Sequence, residues 1–299
     1  MNRRQRNQYK RLRSISGRKE KTIDKMPDAF LSDMKKEQKD LVEVIVLAFA
    51  QMFDIKDDVI ISNQSNISRV AASKALKEIF KRLGQRITNK MINGYLSLMG
   101  LNKKYFAVFK TGLLLDAQSK AESRVWASLG YDPETKKLKN GSYLDSITKD
   151  KTLERRIKVI ATRAAIGGTS WLDFRKNVSD YILKTGKNGA LSQVLNRSAV
   201  YDSFAEVDRT LTAVYAEELD LKYFIYQGGL MTTTRPFCKE RNGKVFSSEE
   251  IDAWNDLTWQ GKNEGSTVQI SQGGYNCRHF YSPISEELAE QIRPDLLNS

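Results

Sequence analysis

Cys238, Cys277 and His279 are the only two cysteines and the only histidine of the 299-residue chain, and all three fall in its last quarter. Two thiols and an imidazole brought together support four chemistries. They can be structural groups, small apolar thiols beside a hydrogen-bonded ring. They can hold Zn²⁺, whose ligands are thiolate sulfur and imidazole nitrogen, with Glu240, Asp252 or water in the fourth position. The Cys-x-His spacing differs from the usual Cys-x₂₋₄-Cys knuckle. Cys238 and Cys277 can join as a disulfide in an oxidising setting such as a finished extracellular particle. A thiol can act as nucleophile with the imidazole as base, which needs hydrogen-bond reach and a third group to orient the ring. No such third residue is evident, and carboxylates form no recognisable acid–base pair. Gly-x-Gly-x-x-Gly, P-loop, HExxH and EF-hand patterns are absent.

The elements that must position these residues are short. Tyr223-Phe224-Ile225-Tyr226, closed by Gly228-Gly229, has strand composition. Asn242-Gly243 between Arg235–Arg241 and Lys244–Phe246 predicts a hairpin. Arg235 precedes Pro236, which favours extended backbone. Arg235 and Arg278 read singly as solvated or internally paired arginines. Ser247-Ser248-Glu249-Glu250 starts a short helix with an acidic first turn, Tyr275–Pro283 reads as extended, and Ser285 caps a last helix ending before Pro294. Upstream, apolar residues recur at helical spacing, predicting helices over about 27–53, opened by Pro27-Asp28, then 65–83, 86–100, 103–129, 150–166, 169–184 and 189–219. Residues 54–64 form a polar break, and 131–147, with Asn140-Gly141, read as an exposed hairpin or loop. Caps are expected at Thr148 or Asp150 and at Thr169 or Ser170. The fold class is mainly α: an elongated multi-helix N-terminal region, then a small α+β C-terminal module with short β-hairpins. Three parts follow: a basic disordered arm (1–26), helical only conditionally, a helical region (27–219) and the module (220–299).

Charge is unevenly placed. The chain carries 49 Lys+Arg against 36 Asp+Glu, a net +13. Residues 1–25 hold ten Lys+Arg and two Asp+Glu, whereas 220–299 hold eight and eleven. Arg3, Arg4, Arg6, Lys10, Arg11, Arg13, Arg18 and Lys19 are the candidate contacts to nucleic-acid phosphates, which a mobile basic arm neutralises without reading sequence. The same composition also fits a solvated terminus that binds nothing. The most apolar stretch, Leu41–Phe53, has 13 residues, short of the roughly 20 that cross a bilayer, so no membrane partner is expected. No apolar segment follows the basic start, which therefore does not read as a secretory signal.

Taken in order, Gly228-Gly229, Thr233-Thr234-Arg235-Pro236-Phe237-Cys238, Asn242-Gly243-Lys244-Val245-Phe246 and Gly273-Gly274-Tyr275-Asn276-Cys277-Arg278-His279 resemble the phage Mu F-like family of tailed-phage minor head, or head morphogenesis, proteins. The resemblance covers about 190–285. It implies a non-enzymatic, low-copy virion protein inside the capsid near the portal, present in the host cytoplasm during assembly. The implied partners are portal protein, major capsid or scaffolding protein and, non-specifically, double-stranded DNA; the implied roles are in procapsid assembly and DNA packaging or ejection. Arg235, Pro236, Cys238, Gly243, Gly273, Gly274, Asn276, Cys277, Arg278 and His279 are the motif residues, with roles in the module's fold or in a metal-like cluster. A nucleic-acid-binding protein unconnected with a virion, and a Cys/His or zinc-dependent enzyme, are the alternatives.

Overall fold

Leu12, Ile15, Ile23, Phe30, Met34, Leu41, Ile45 and Phe49 are separated by three, four, seven or eight positions, the period of one helical face. In the computed structural model all eight are buried along a single helix, α1 (Arg3–Ala50). The structure describes residues 1–61, 66–148, 151–167, 169–184, 189–191, 195–262, 265 and 267–297. The expected cap at Asp150 and the helix start at Ser65 lie outside them.

The chain divides into two compact units, and its first 26 residues are part of one of them rather than a disordered arm. Unit 1 comprises Met1–Met26, Asn93–Leu129 and Tyr201–Ser299; unit 2 comprises Pro27–Ile92 and Gly130–Val200. The contiguous division at 26/27 and 219/220 is replaced by this interleaved one. The physical reason is burial: Leu12, Ile15 and Ile23 give the basic segment an apolar stripe, which is what stabilises a helix in a protein. Pro27 does not open a helix but sits inside α1. An interior proline costs about 3 kcal/mol, and burial of Ile23 and Phe30 on either side offsets it.

In unit 2, part of α1 and of α2 (Asn66–Phe106) accompany α4 (Tyr143–Thr148), α5 (Lys151–Gly167) and α6 (Trp171–Lys184). Phe49, Phe53, Trp171 and Phe174 form an aromatic cluster with centroids 5.2–6.4 Å apart. Ser170 caps α6 by accepting from the Asp173 amide at 2.9 Å. The polar break holds a two-strand ladder, β1 (Ile55–Lys56) with β2 (Val59–Ile60). A second ladder pairs β3 (Tyr131–Asp132) with β4 (Lys137–Leu138). Asn140-Gly141 is not its tip. Residues 133–136 make the turn, because Asp132 accepts from the Glu134 and Thr135 amides at 2.9 and 3.1 Å.

In unit 1, α2 runs through Gly100 and ends at Phe106. The helix expected over 103–129 is interrupted where Lys110 takes a left-handed conformation, and α3 begins at Leu114. α7 (Arg197–Glu218) packs closely on α2: a Cβ at Gly94 would lie 2.5 Å from the Phe204 ring. The remaining chain forms an antiparallel sheet of order β6-β5-β7, from β5 (Tyr223–Gly228), β6 (Lys244–Ser247) and β7 (His279–Ile284). Short helices α8 (Pro236–Arg241), α9 (Ser248–Ala253), α10 (Val268–Ser271) and α11 (Glu286–Ile292) surround it. The expected hairpin at 235–246 is instead helix α8 followed by β6. Pro236 decides this, since its fixed φ and missing N–H suit the first helical position. Asn242-Gly243 then turns the chain into β6, with the Gly243 amide donating to the Tyr226 carbonyl at 2.7 Å. Pro283 lies in edge strand β7, where a missing ladder donor is tolerated, and Tyr105 of α2 donates to its carbonyl at 2.6 Å.

Candidate metal centre

Four local features carry Cys238, Cys277 and His279 to one point. Pro236 starts α8, which presents Cys238 from its first turn. Gly274 holds φ +93°, and a Cβ there would lie 1.7 Å from the Gly261 carbonyl oxygen, so only glycine fits. Asn276 follows in the left-handed region, φ 55°, and the Cys277 amide closes the turn on the Gly274 carbonyl at 3.0 Å. His279 then enters β7 opposite Gly228 of β5, where a Cβ would lie 2.6 Å from the Arg278 carbonyl oxygen.

Arginines brace the loops. Arg209 of α7 donates to the carbonyls of Cys277, at 2.5 Å, and His279, at 3.4 Å. Arg235 donates to the Tyr275 carbonyl at 2.7 Å and fills the space beside Gly261. Arg278 pairs with Asp24 at 3.9 Å and lies over the Tyr201 ring. Of the motif residues, Pro236, Asn276 and the glycines act through the backbone, and Arg235 and Arg278 through their side chains. An apolar shell of Phe237, Ile251, Trp254, Val268 and Tyr281 closes around the centre. Trp259 stacks on Phe237 at 4.0 Å and donates to the Gly273 carbonyl at 3.1 Å.

The ligand atoms of Cys238, Cys277 and His279 all lie within 4.8 Å of one another. The sulfurs are 3.8 Å apart, and Cys277 Sγ is 3.9 Å from His279 Nδ1. Both cysteines are free. A tetrahedral metal about 2.3 Å from each of two sulfurs holds them about 3.8 Å apart, so the thiols already stand at the separation that a shared metal requires. Side-chain burial is nearly complete, with relative exposures of 2%, 3% and 3% for Cys238, Cys277 and His279. The three residues are a buried group that can hold a metal ion.

The thiols titrate as a pair. Hydrogen bonding with Cys238, and then with His279, holds the Cys277 thiol well below its ordinary range against the effect of burial. The hydrogen bond to Cys277 and burial push Cys238 up. One sulfur thus carries negative charge readily, and a metal would supply the field that ionises the second. His279 Nε2 is buried without a hydrogen-bond partner among the described residues.

Neither carboxylate expected as a fourth ligand faces the centre. Glu240 is exposed beside Arg241, at 3.5 Å, and Asp252 is exposed and accepts from Gln269. The sequence reading missed Tyr226, whose hydroxyl lies 3.3 Å from Cys238 Sγ and 3.8 Å from Cys277 Sγ and whose ring stacks on His279. The strand composition of Tyr223–Tyr226 signals a strand, but neither which of its residues are buried nor what Tyr226 touches. Arg209 gave no sequence signal.

Of the candidate DNA contacts, Arg3, Arg4, Arg6, Lys10, Arg11, Arg13 and Arg18 are exposed on α1. Lys19 is not among them. It is buried, pairs with Asp208 at 3.0 Å and donates to Asn102 at 2.8 Å and Thr212 at 3.2 Å. Its position between Ile15 and Ile23 on the apolar stripe directs it inward. Comparison with family models, curated proteins and solved structures finds no match.

Proposed function

We propose that this chain is a non-enzymatic minor head protein of a tailed phage, associated with the portal and capsid interior, and that an exposed basic face of α1 binds DNA without sequence preference. One observation carries the reading. The separated strings Gly228-Gly229, Thr233–Cys238, Asn242–Phe246 and Gly273–His279 converge on a single closed core around Cys238, Cys277 and His279. A motif set scattered over some fifty positions acts as one structural unit, in support of the sequence resemblance. The acidic residues of 220–299 suit a protein partner better than a nucleic acid.

The metal we propose for the centre is zinc, in a structural role. Thiolate and imidazole ligands suit it, and a closed, buried set is the pattern of structural rather than catalytic sites. It would tie α8 to the start of β7 in a region with short strands.

Quantitative mass spectrometry of purified particles, counting this chain against portal and major capsid protein, tests the function. A few copies per portal ring are expected. Absence from particles while the chain is present in infected cells would overturn the virion assignment and favour a DNA-binding protein outside the particle.

A further inference from the structure

We infer that Tyr226 supplies the fourth ligand of the metal centre, so that the ion is held by two sulfurs, one imidazole nitrogen and a phenol oxygen. The inference deepens the metal reading above and rests on it.

The distances carry it. A tetrahedral ion about 2.3 Å from sulfur and about 2.0 Å from oxygen sets sulfur and oxygen about 3.5 Å apart. The Tyr226 oxygen stands 3.3 Å from one sulfur and 3.8 Å from the other, a spread that brackets this edge. With the sulfur–sulfur edge of 3.8 Å, these three atoms form one face of a tetrahedron. His279 Nδ1 stands 3.9 Å from Cys277 Sγ, and the imidazole brings a nitrogen within 4.8 Å of both sulfurs. Gly273 lines the same space: a Cβ there would meet Cys238 Sγ at 2.3 Å, Cys277 Sγ at 2.8 Å and the Tyr226 oxygen at 3.3 Å. Thus the backbone is stripped of a side chain at the place where the two sulfurs and the oxygen converge.

Tyr226 is also fixed for the task. It occupies the central strand of the sheet, paired to Lys244 on one side and Tyr281 on the other. Its ring lies parallel to the His279 ring, with centroids 5.2 Å apart and planes 9° apart. It is fully buried. The two thiolates balance the charge of a divalent cation, and an oxygen ligand that can stay neutral leaves a buried site without net charge. The carboxylates of Glu240 and Asp252, which would add charge, are exposed and engaged elsewhere.

The test is titration of the metal-free chain with Co²⁺, whose visible ligand-field bands report ligand number and type. Wild type is expected to take up one ion with the intense bands of a four-coordinate, two-thiolate site. Tyr226→Phe keeps the ring and its stack but removes the oxygen. It is expected to lose more affinity than the roughly 10–100-fold that an outer-shell contact costs, with bands shifted because a ligand oxygen is gone. Cys277→Ala is expected to lose the thiolate bands. No cobalt uptake by wild type would overturn the metal reading itself. Identical bands and affinity in Tyr226→Phe would overturn the Tyr226 assignment and leave the Cys–Cys–His site standing. Proton NMR of cobalt-loaded wild type gives the same answer without a variant. Tyrosine ring signals with contact shifts of opposite sign at the ortho and meta positions, lost on ring deuteration, support ligation, and through-space shifts alone overturn it.

Discussion

Residue 273 must be glycine because two sulfur atoms occupy the position of its side chain. Ala at 273 would place a Cβ 2.3 Å from Cys238 Sγ and 2.8 Å from Cys277 Sγ, and both thiols are buried. Gly273→Ala is therefore expected to cost the roughly 1–3 kcal/mol of an overpacked core and to abolish metal uptake. Urea unfolding and metal analysis check both. Gly141→Ala is the contrast: φ is +74° but nothing lies within 4 Å, so about 1–2 kcal/mol of left-handed strain is all that is expected. Glu20 gives a pH signature. Burial, then the neighbouring Asp24, raises its pKa above 4.5, so the folded state holds the proton more tightly than the unfolded chain. Stability must then fall as pH rises from 4.5 through the raised value. Glu20→Gln is expected to remove that fall and to raise the urea midpoint only above the window. A pH-independent difference between the two proteins would refute the assignment.

At the scale of elements, the short helices depend on their ends. Ser247 accepts from the Glu250 amide at 3.2 Å, and Glu250 accepts from the Ser247 amide at 2.9 Å, forming a capping box for α9. Glu250 also holds Arg293 by two hydrogen bonds of 2.8 and 2.6 Å. Ser247→Ala should cost about 1 kcal/mol, and Glu250→Ala more, because it releases the chain after α11 as well. Thermal melts of the two variants give the order. The start of this helix was legible in the sequence, as were strand β5 and most of the helices, because each rests on local pattern. The helical state of residues 3–26 was legible only as a conditional one. Only Leu12, Ile15 and Ile23 interrupt its charges and polar groups as deeply buried apolar residues, and composition weighs the exposed majority. Lys19 was hidden more deeply still, since its partner Asp208 is 189 positions away. At 235–241 a turn dipeptide pointed to a hairpin, but the proline at the head of the segment determined a helix. The Cys–Cys–His cluster was visible through scarcity alone. Its fourth neighbour, Tyr226, was one of 12 tyrosines and nothing local distinguished it.

For the whole molecule, the net charge of +13 matters through where it is displayed. Arg4, Arg11, Arg18 and Lys25 recur every seven residues along α1, flanked by Arg3, Lys10, Arg6 and Arg13, and all eight are exposed. Leu12, Ile15, Lys19 and Ile23 occupy the opposite face and are buried. At 1.5 Å per residue the charged row extends about 32 Å, long enough to meet several phosphates of one duplex. Deleting residues 1–25 is the wrong test, since it removes core side chains along with the charges. Arg4→Gln, Arg11→Gln and Arg18→Gln together leave the buried stripe intact. If each arginine neutralises one phosphate, the slope of log affinity against log salt should flatten by about 2.7, at roughly 0.9 per contact. Lys19→Met is the opposite control. It strands Asp208 in the core and is expected to destabilise by about 3–5 kcal/mol, while the protein that remains folded keeps the wild-type slope. Fluorescence anisotropy with a duplex of arbitrary sequence, over a salt series, measures both. An unchanged slope in the triple variant would remove α1 as the DNA-binding face. A flattened slope in Lys19→Met would mean that the affinity follows the fold of unit 1 and not the charges it displays.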